Sequence, residues 1–188
     1  MRDFLGSVVG YARLEDTVNS EEFYLASYRA EFLPTATREV DRGGVVIEFE
    51  RKPQRFLKSG EVTTEWIPVY GKIVNPTNMT AKPLIWIEGN YPLTINGCTI
   101  TPSENQSGRI YVDSESHEIY RLLLDGDDVW GMTEEEIQVA VHDGGVLTAT
   151  DAHSLIEFSN GDFPVLDGGE NAITGLSSLG IKPRWWRL

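Results

Sequence analysis

Apolar and polar residues alternate along most of this chain in short runs, broken about every ten residues by glycine, proline, asparagine or aspartate. A period of two is the mark of strands that bury one face. The run Leu93-Thr94-Ile95-Asn96-Gly97-Cys98-Thr99-Ile100 shows it plainly, because Asn96-Gly97 suits a tight hairpin turn between two apolar arms. Strands are also predicted over residues 62–70, which contain Trp66, and over 71–74, 83–90, 109–113 and 118–122. Asn75-Pro76-Thr77-Asn78 and Ser114-Glu115-Ser116-His117 supply the turns between some of them. After the turn at 159–162 comes an apolar plug at 163–166, and strands at 155–158, 171–176 and 181–188 complete the set. Many short strands with evenly spaced turns predict a mainly β fold, an antiparallel β-sandwich. Within the last strand Trp185 and Trp186 fall on opposite faces, so one enters a core and the other meets a surface or an interface.

Two stretches carry helical signals. Phe4, Leu5 and Val8 have helical spacing within residues 2–9 and precede Gly10, a C-cap candidate. Thr133-Glu134-Glu135-Glu136 has the spacing of a capping box, but the β-branched residues Ile137, Val139 and Val141 alternate, so a strand following a short acidic turn is expected there. Residues 11–16 alternate, residues 23–33 form a strand that Pro34 stops, and a turn at 41–44 leads into a strand at 45–51. Pro53 should end that strand, since proline cannot donate to a ladder. Arg51, Lys52, Arg55 and Lys58 crowd around it, either as a solvated strand exit or as a stiff connector between two folding units. The connector reading divides the chain into a small α+β piece at 1–57 and a sandwich at 58–188. So small a piece buries little surface, and it is expected to self-associate or to pack on the second half.

The run Lys52-Pro53-Gln54-Arg55-Phe56-Leu57-Lys58-Ser59-Gly60, with Gly10-Tyr11-Ala12-Arg13-Leu14-Glu15-Asp16-Thr17 upstream, resembles the distal tail protein family of long-tailed, non-contractile phages and their prophages. Asp162-Phe163-Pro164-Val165-Leu166, Gly169-Glu170-Asn171 and Pro183-Arg184-Trp185-Trp186 fit the same pattern. Members carry a further half-domain ahead of the counterpart of Arg2-Asp3-Phe4-Leu5, so the resemblance begins inside their N-terminal domain. It implies a tail-tip structural protein, made in the host cytoplasm and incorporated into the virion. The N-terminal domain would close a ring, commonly a hexamer, and a galectin-like, jelly-roll sandwich would help seat the adhesion apparatus alongside other tail proteins. Lys52, Pro53, Gln54, Arg55, Phe56 and Leu57 would then be the connector.

Charge sharpens this picture. The 188 residues carry a net charge of −13, yet residues 1–60 are nearly balanced, with nine basic and ten acidic residues. Between Asp113 and Glu170 fifteen carboxylates face one cation, Arg121, which disfavours nucleic acid and anionic membrane as partners. Cys98 is the only cysteine, so an intrachain disulfide is impossible and a reducing compartment suits the chain. No run approaches the roughly 20 apolar residues of a membrane helix, and residues 1–14 lack a secretory h-region.

Candidate chemistry is sparse. His117, His142 and His153 lack metal-ligand spacing, although Asp113, Glu115 and Glu118 near His117 offer a weak cation site. Asp125-Gly126-Asp127-Asp128 with Glu136 imitates the ends of a calcium loop, but Trp130 stands where glycine is needed and Val129 at a ligand place. No nucleophile elbow or phosphate loop is present, and Cys98 reads as a small buried hydrophobe. A scaffold that is not an enzyme, without metal or cofactor, is therefore expected. A carbohydrate-binding sandwich module is the alternative. Of the tryptophans at 66, 86, 130, 185 and 186, Trp130 in its polar loop is the candidate glycan contact. A sandwich hydrolase would need two carboxyl groups about 5–9 Å apart across a cleft.

Overall fold

The computed structural model describes residues 10–28, 48–66, 70–103 and 108–188. The expected helix at 2–9, the turn at 41–44 and parts of the strands at 23–33 and 45–51 lie outside the described residues. In chain order the strands begin with β1 (Ala12–Leu14), β2 (Glu22–Tyr28), β3 (Phe49–Leu57), β4 (Thr64–Trp66), β5 (Gly71–Asn75), β6 (Leu84–Glu88), β7 (Leu93–Ile95) and β8 (Cys98–Pro102). Then follow β9 (Arg109–Asp113), β10 (Glu118–Leu124), β11 (Asp127–Asp128), helix α1 (Glu134–His142), β12 (Leu147–Asp151), β13 (Ile156–Phe158), β14 (Gly169–Gly175), β15 (Ser178–Lys182) and β16 (Trp186–Arg187).

The chain forms two compact units, one of Met1–Lys58 with Trp186–Leu188 and the other of Ser59–Trp185. The first division falls one residue beyond the expected one. The last three residues, however, return to the first unit. Its sheet runs β1-β2-β3-β16, and Phe23 and Ala26 are its buried apolar side chains among the described residues.

The second unit is an antiparallel sandwich. A seven-stranded sheet, β11-β10-β9-β6-β15-β4 with β12 also on β10, faces a five-stranded one ordered β13-β8-β7-β14-β5. Alternation fills the space between them: Ile85, Ile87, Ile110, Val112, Leu179 and Ile181 from one sheet and Leu93, Ile95, Ile100 and Ile173 from the other are wholly buried. The predicted hairpin forms with Asn96 and Gly97 at φ 47° and 82°, the positive values a tight turn of this kind requires.

Three expectations are corrected. The expected strand at 137–141 is the helix α1, whose capping box closes in both directions between Thr133 and Glu136. Only Ile137 is buried there, while Val139, two residues on and so turned away from it on a helix, is 60% exposed. Pro53 does not end its strand, because β3 continues to Leu57. Pairing jumps from Tyr24↔Arg55 to Ala26↔Arg51, so Lys52, Pro53 and Gln54 bulge opposite Leu25, where a missing N–H costs no ladder bond. The expected strand at 181–188 breaks at Arg184, whose φ of 57° turns the chain, leaving β15 and β16 in different sheets. Trp185 is buried and Trp186 half-buried, as alternation required, although the strand is not continuous.

Outside the sandwich core, the other face of the seven-stranded sheet carries a second apolar cluster, Trp86, Tyr111, Val129 and Ile137, beneath α1. Gly180 pairs with Trp86 across the ladder, and a Cβ at Gly180 would overlap the indole ring. Gly180→Val should therefore cost about 2 kcal/mol or more in urea unfolding. Thr133→Ala should cost about 1 kcal/mol by removing the helix cap. A Gly180→Val variant as stable as the parent would show that the ring moves aside freely.

Candidate functional site

The chemistry-bearing side chains of the second unit gather on that outer sheet face. The β6–β9 register pairs Glu88 with Arg109 and Trp86 with Tyr111. Arg109 is 4% exposed, and a cation so buried requires compensation from every side. Its guanidinium lies 4.1 Å from the Trp86 ring centre and donates Nε and Nη2 to Glu88 Oε1, each at 2.7 Å. Burial acts to lower the Arg109 pKa, but Tyr111 and Glu88 beside it hold it above its ordinary value, and the Arg109 N–H donates to Asp128 Oδ1 at 3.2 Å.

Glu88 Oε1 also accepts the Gly131 N–H at 3.2 Å, which ties down the turn from Val129 to Met132. Met132 N–H closes that turn on Val129 O at 3.1 Å, and Gly131 takes φ 76°. Val129 is wholly buried, so Trp130 is held outward and is 66% exposed. A cleft of about 320 Å³ adjoins the turn, lined by Glu65, Trp86, Glu88, Arg109, Gly131, Met132, Thr133, Ser178 and Leu179.

A smaller cavity of about 120 Å³ lies under α1, walled by Tyr111, Tyr120, Leu122, Ile137 and Leu147 among others. Tyr111 and Tyr120 stack with ring centres 5.3 Å apart. Burial, then the nearby Asp113 charge, pushes the Tyr120 phenol up to about 12. Glu134 also lines this cavity, accepting from Lys182 at 2.9 Å and Thr63 at 2.8 Å. A broader groove of about 770 Å³ borders the first turn of α1 and is lined by Glu61, Glu65, Glu134 and Glu135 with Val62 and Val139.

The residues singled out in the sequence are dispersed. Lys52, Pro53, Gln54, Arg55, Phe56 and Leu57 are strand residues of β3 in the first unit, and the passage to the second unit follows them. The calcium-like carboxylates are engaged separately: Asp125 accepts from Val146 N–H at 2.9 Å, Asp128 from Arg109, and Glu136 caps α1. His117 packs on Phe163 with ring centres 5.0 Å apart, and Asp113 binds Arg184 instead. Among the described residues no group of three or more His, Cys, Asp or Glu side chains is placed to hold a metal ion. Cys98 is buried, and burial followed by the Asp162 charge raises its thiol pKa. Trp130 is exposed, and its neighbours Gly131 and Met132, rather than Trp130 itself, line the cleft.

Sequence reasoning passed over Glu88, Arg109 and Tyr111. Their signal was the second phase of the alternation. Trp86, Tyr111, Tyr120 and Leu122 occupy positions that a solvent-facing sheet would fill with polar residues, and this betrays a covered outer face.

No protein-family model matches the chain, no curated protein matches it, and no solved structure matches it.

Asp113 anchors the bend before β16 through a two-pronged pair, accepting from Arg184 Nη1 at 2.7 Å and Nη2 at 2.9 Å. Burial raises the Asp113 pKa, but the Arg184 bonds and charge outweigh it and hold the carboxyl below its ordinary value of 3.8. A depressed carboxylate contributes stability that is complete above its unfolded value and is lost as pH falls through the folded one. Asp113→Asn should cost about 2 kcal/mol at neutral pH. Chemical denaturation from about pH 5 down to pH 2 should show the gap to the parent closing. A gap that stays constant over that range would contradict the pairing.

Proposed function

We propose that this chain is a non-enzymatic structural component of a phage or prophage tail tip, a distal tail or baseplate hub protein linking tail tube to adhesion apparatus. The observation that carries the reading is the meeting of sequence runs that are far apart in the chain. The runs at 10–17, 52–60 and 183–186, on which the family resemblance rests, fold against one another within their respective units. In the first, Phe56 pairs with Trp186 and Arg55 with Arg187, Lys58 Nζ binds Glu15 Oε2 at 2.5 Å, and Lys52 lies 5.3 Å from the Tyr11 ring centre. In the second, Arg184 N–H donates to Gly60 O at 2.7 Å. Gly60 packs so closely on the Trp185 backbone that a side chain there would clash.

These contacts give the short motifs a shared purpose. They hold the segments where the chain leaves the first unit after Lys58 and re-enters it after Trp185, so two covalent passages, rather than one tether, connect the units. Such doubling suits a protein that holds neighbours in place. Among the described residues of the first unit Phe23 and Ala26 are the buried apolar side chains while Tyr11 is 49% and Phe49 40% exposed, which suits a ring in which further copies supply cover. A hexamer is the family's common ring, and other tail proteins are the remaining partners. The protein would be made in the host cytoplasm and end in the virion tail tip. The acidic second unit favours protein neighbours over nucleic acid or anionic membrane.

Immunogold labelling of tailed particles from the producing strain should decorate the tail tip, and light scattering should return a multiple of the single-chain mass. Unlabelled particles from cells that an immunoblot shows to make the chain would remove the proposal.

A further inference from the structure

Two crossings between the sheets of the second unit lie side by side at one end of the sandwich, and each carries a large apolar side chain into solvent. Tyr91 stands between β6 and β7, and Leu176 between β14 and β15. Register brings the crossings together, since Glu88 pairs with Ser178 and Gly175 with Leu93. Two more exposed aromatics share this end. Tyr70 immediately precedes Gly71, which pairs with Ile173 near the end of β14, and Trp130 is next to Gly131, whose N–H is bound to Glu88 at the end of β6. Tyr70 is 88%, Trp130 66%, Tyr91 59% and Leu176 57% exposed. Gly60 and Arg184 lie at the opposite end of β15.

The crossings are built to hold this display. The buried Ser177 accepts the Tyr91 N–H on Oγ at 3.1 Å and donates back to Tyr91 O at 2.8 Å. Gly175 fits so tightly that a Cβ there would stand 2.9 Å from Pro92 O. This anchoring runs through backbone and a serine hydroxyl and makes no use of the exposed rings. Charge is depleted as well. Gly89-Asn90-Tyr91-Pro92, Val129-Trp130-Gly131-Met132 and Gly175-Leu176-Ser177-Ser178 contain no charged residue, in a chain that carries −13. The turn at the other end of β9, by contrast, has Glu115 and Glu118. Aromatic enrichment with charge depletion is the composition of an interface centre, and a solvated turn has no use for it.

We infer that this tip is a contact between two copies of the chain, paired about a two-fold axis. Three aromatic rings and a leucine offer roughly 600 Å² from each copy. Two copies would together bury about 1,200 Å², which clears the roughly 1,000 Å² that a specific interface needs. Charge selects the partner. Two chains of −13 repel wherever carboxylates face one another, and the uncharged tip is where they meet with least opposition. A basic partner would be drawn instead to the carboxylates elsewhere on the unit. A two-fold contact sets each apolar side chain against the same patch of the other copy, so the tip needs no second kind of surface. The inference stands apart from the tail-tip reading, in which the ring is attributed to the first unit.

The test is sedimentation equilibrium of the full chain. The parent should have twice the mass of Leu176→Asp, which sets carboxylates against each other at the tip. That factor holds whether the first unit is single or ringed, because the tip joins assemblies in pairs. Trp130→Ala should weaken the pairing about thirtyfold. Val139→Asp adds the same charge at an exposed valine of α1 and should keep the parental mass. Added salt should strengthen the pairing, since it screens the repulsion and leaves an apolar contact intact. Thermal midpoints of the variants should match the parent, which separates lost pairing from lost folding. Equal masses for the parent and Leu176→Asp would overturn the pairing and leave the tip to a different protein. Dissociation of Val139→Asp as complete as that of Leu176→Asp would also overturn it.

Discussion

The buried guanidinium of Arg109 is the constraint around which the outer face of the second unit is built. A cation removed from water must be repaid by close partners, and here each partner has a further structural task. Glu88 takes two bonds from Arg109 and also accepts Gly131 N–H, which fixes the turn displaying Trp130. Trp86 lies under the guanidinium and owes its position to the absence of a side chain at Gly180. Asp128 accepts from the Arg109 backbone and crowds Gly108, whose φ of 95° and lack of a Cβ let the carboxylate approach. One buried charge thereby ties together four segments of the chain, 86–88, 108–111, 128–131 and the β15 glycine.

Much of the sandwich was legible because its strands obey a simple rule: one phase of the alternation is wholly buried. The hairpin at Asn96-Gly97 was the clearest case, since the turn chemistry and the flanking apolar residues agreed. Helix α1 was misjudged for a physical reason. Ile137, Val139 and Val141 favour a strand by intrinsic preference, but a closed capping box and the apolar shelf of Tyr111, Tyr120 and Leu122 outweigh that preference. The second core explains both the error and the missed site. Aromatic residues on the supposedly outer phase were evidence for something lying over the sheet.

The first unit was harder to read because its register and one of its strands are set by residues remote in sequence. A proline in mid-strand is tolerated where pairing is already interrupted, and the bulge at Lys52, Pro53 and Gln54 supplies that interruption. Nothing local to residues 49–57 announces that β16, more than a hundred residues downstream, adds to the same sheet. Glu22 shows the consequence for charge. Buried at 6% exposure, it is paired with Arg187 from the far end of the chain and lies 3.7 Å from Arg55. A carboxylate at a strand start looks like surface until both cations are seen to converge on it.

The same lesson applies to the acidity of the whole molecule. A net charge of −13 suggests a surface painted with carboxylates for solubility, yet many of them have particular donors. Glu88 neutralises Arg109, Asp113 holds Arg184, Glu134 gathers Lys182 and Thr63, and Glu136 closes a helix cap. The buried or half-buried pairs among these, Glu88 with Arg109 and Asp113 with Arg184, are little affected by salt, whereas repulsion among the exposed carboxylates is screened within about 10 Å at moderate ionic strength. The net charge therefore governs which ligands approach, while the paired acids govern what the site looks like once they arrive. Arg109, the one cation lining the cleft, is already bound by Glu88, so the cleft offers little to attract an anion, and that follows from the fold's need to compensate Arg109.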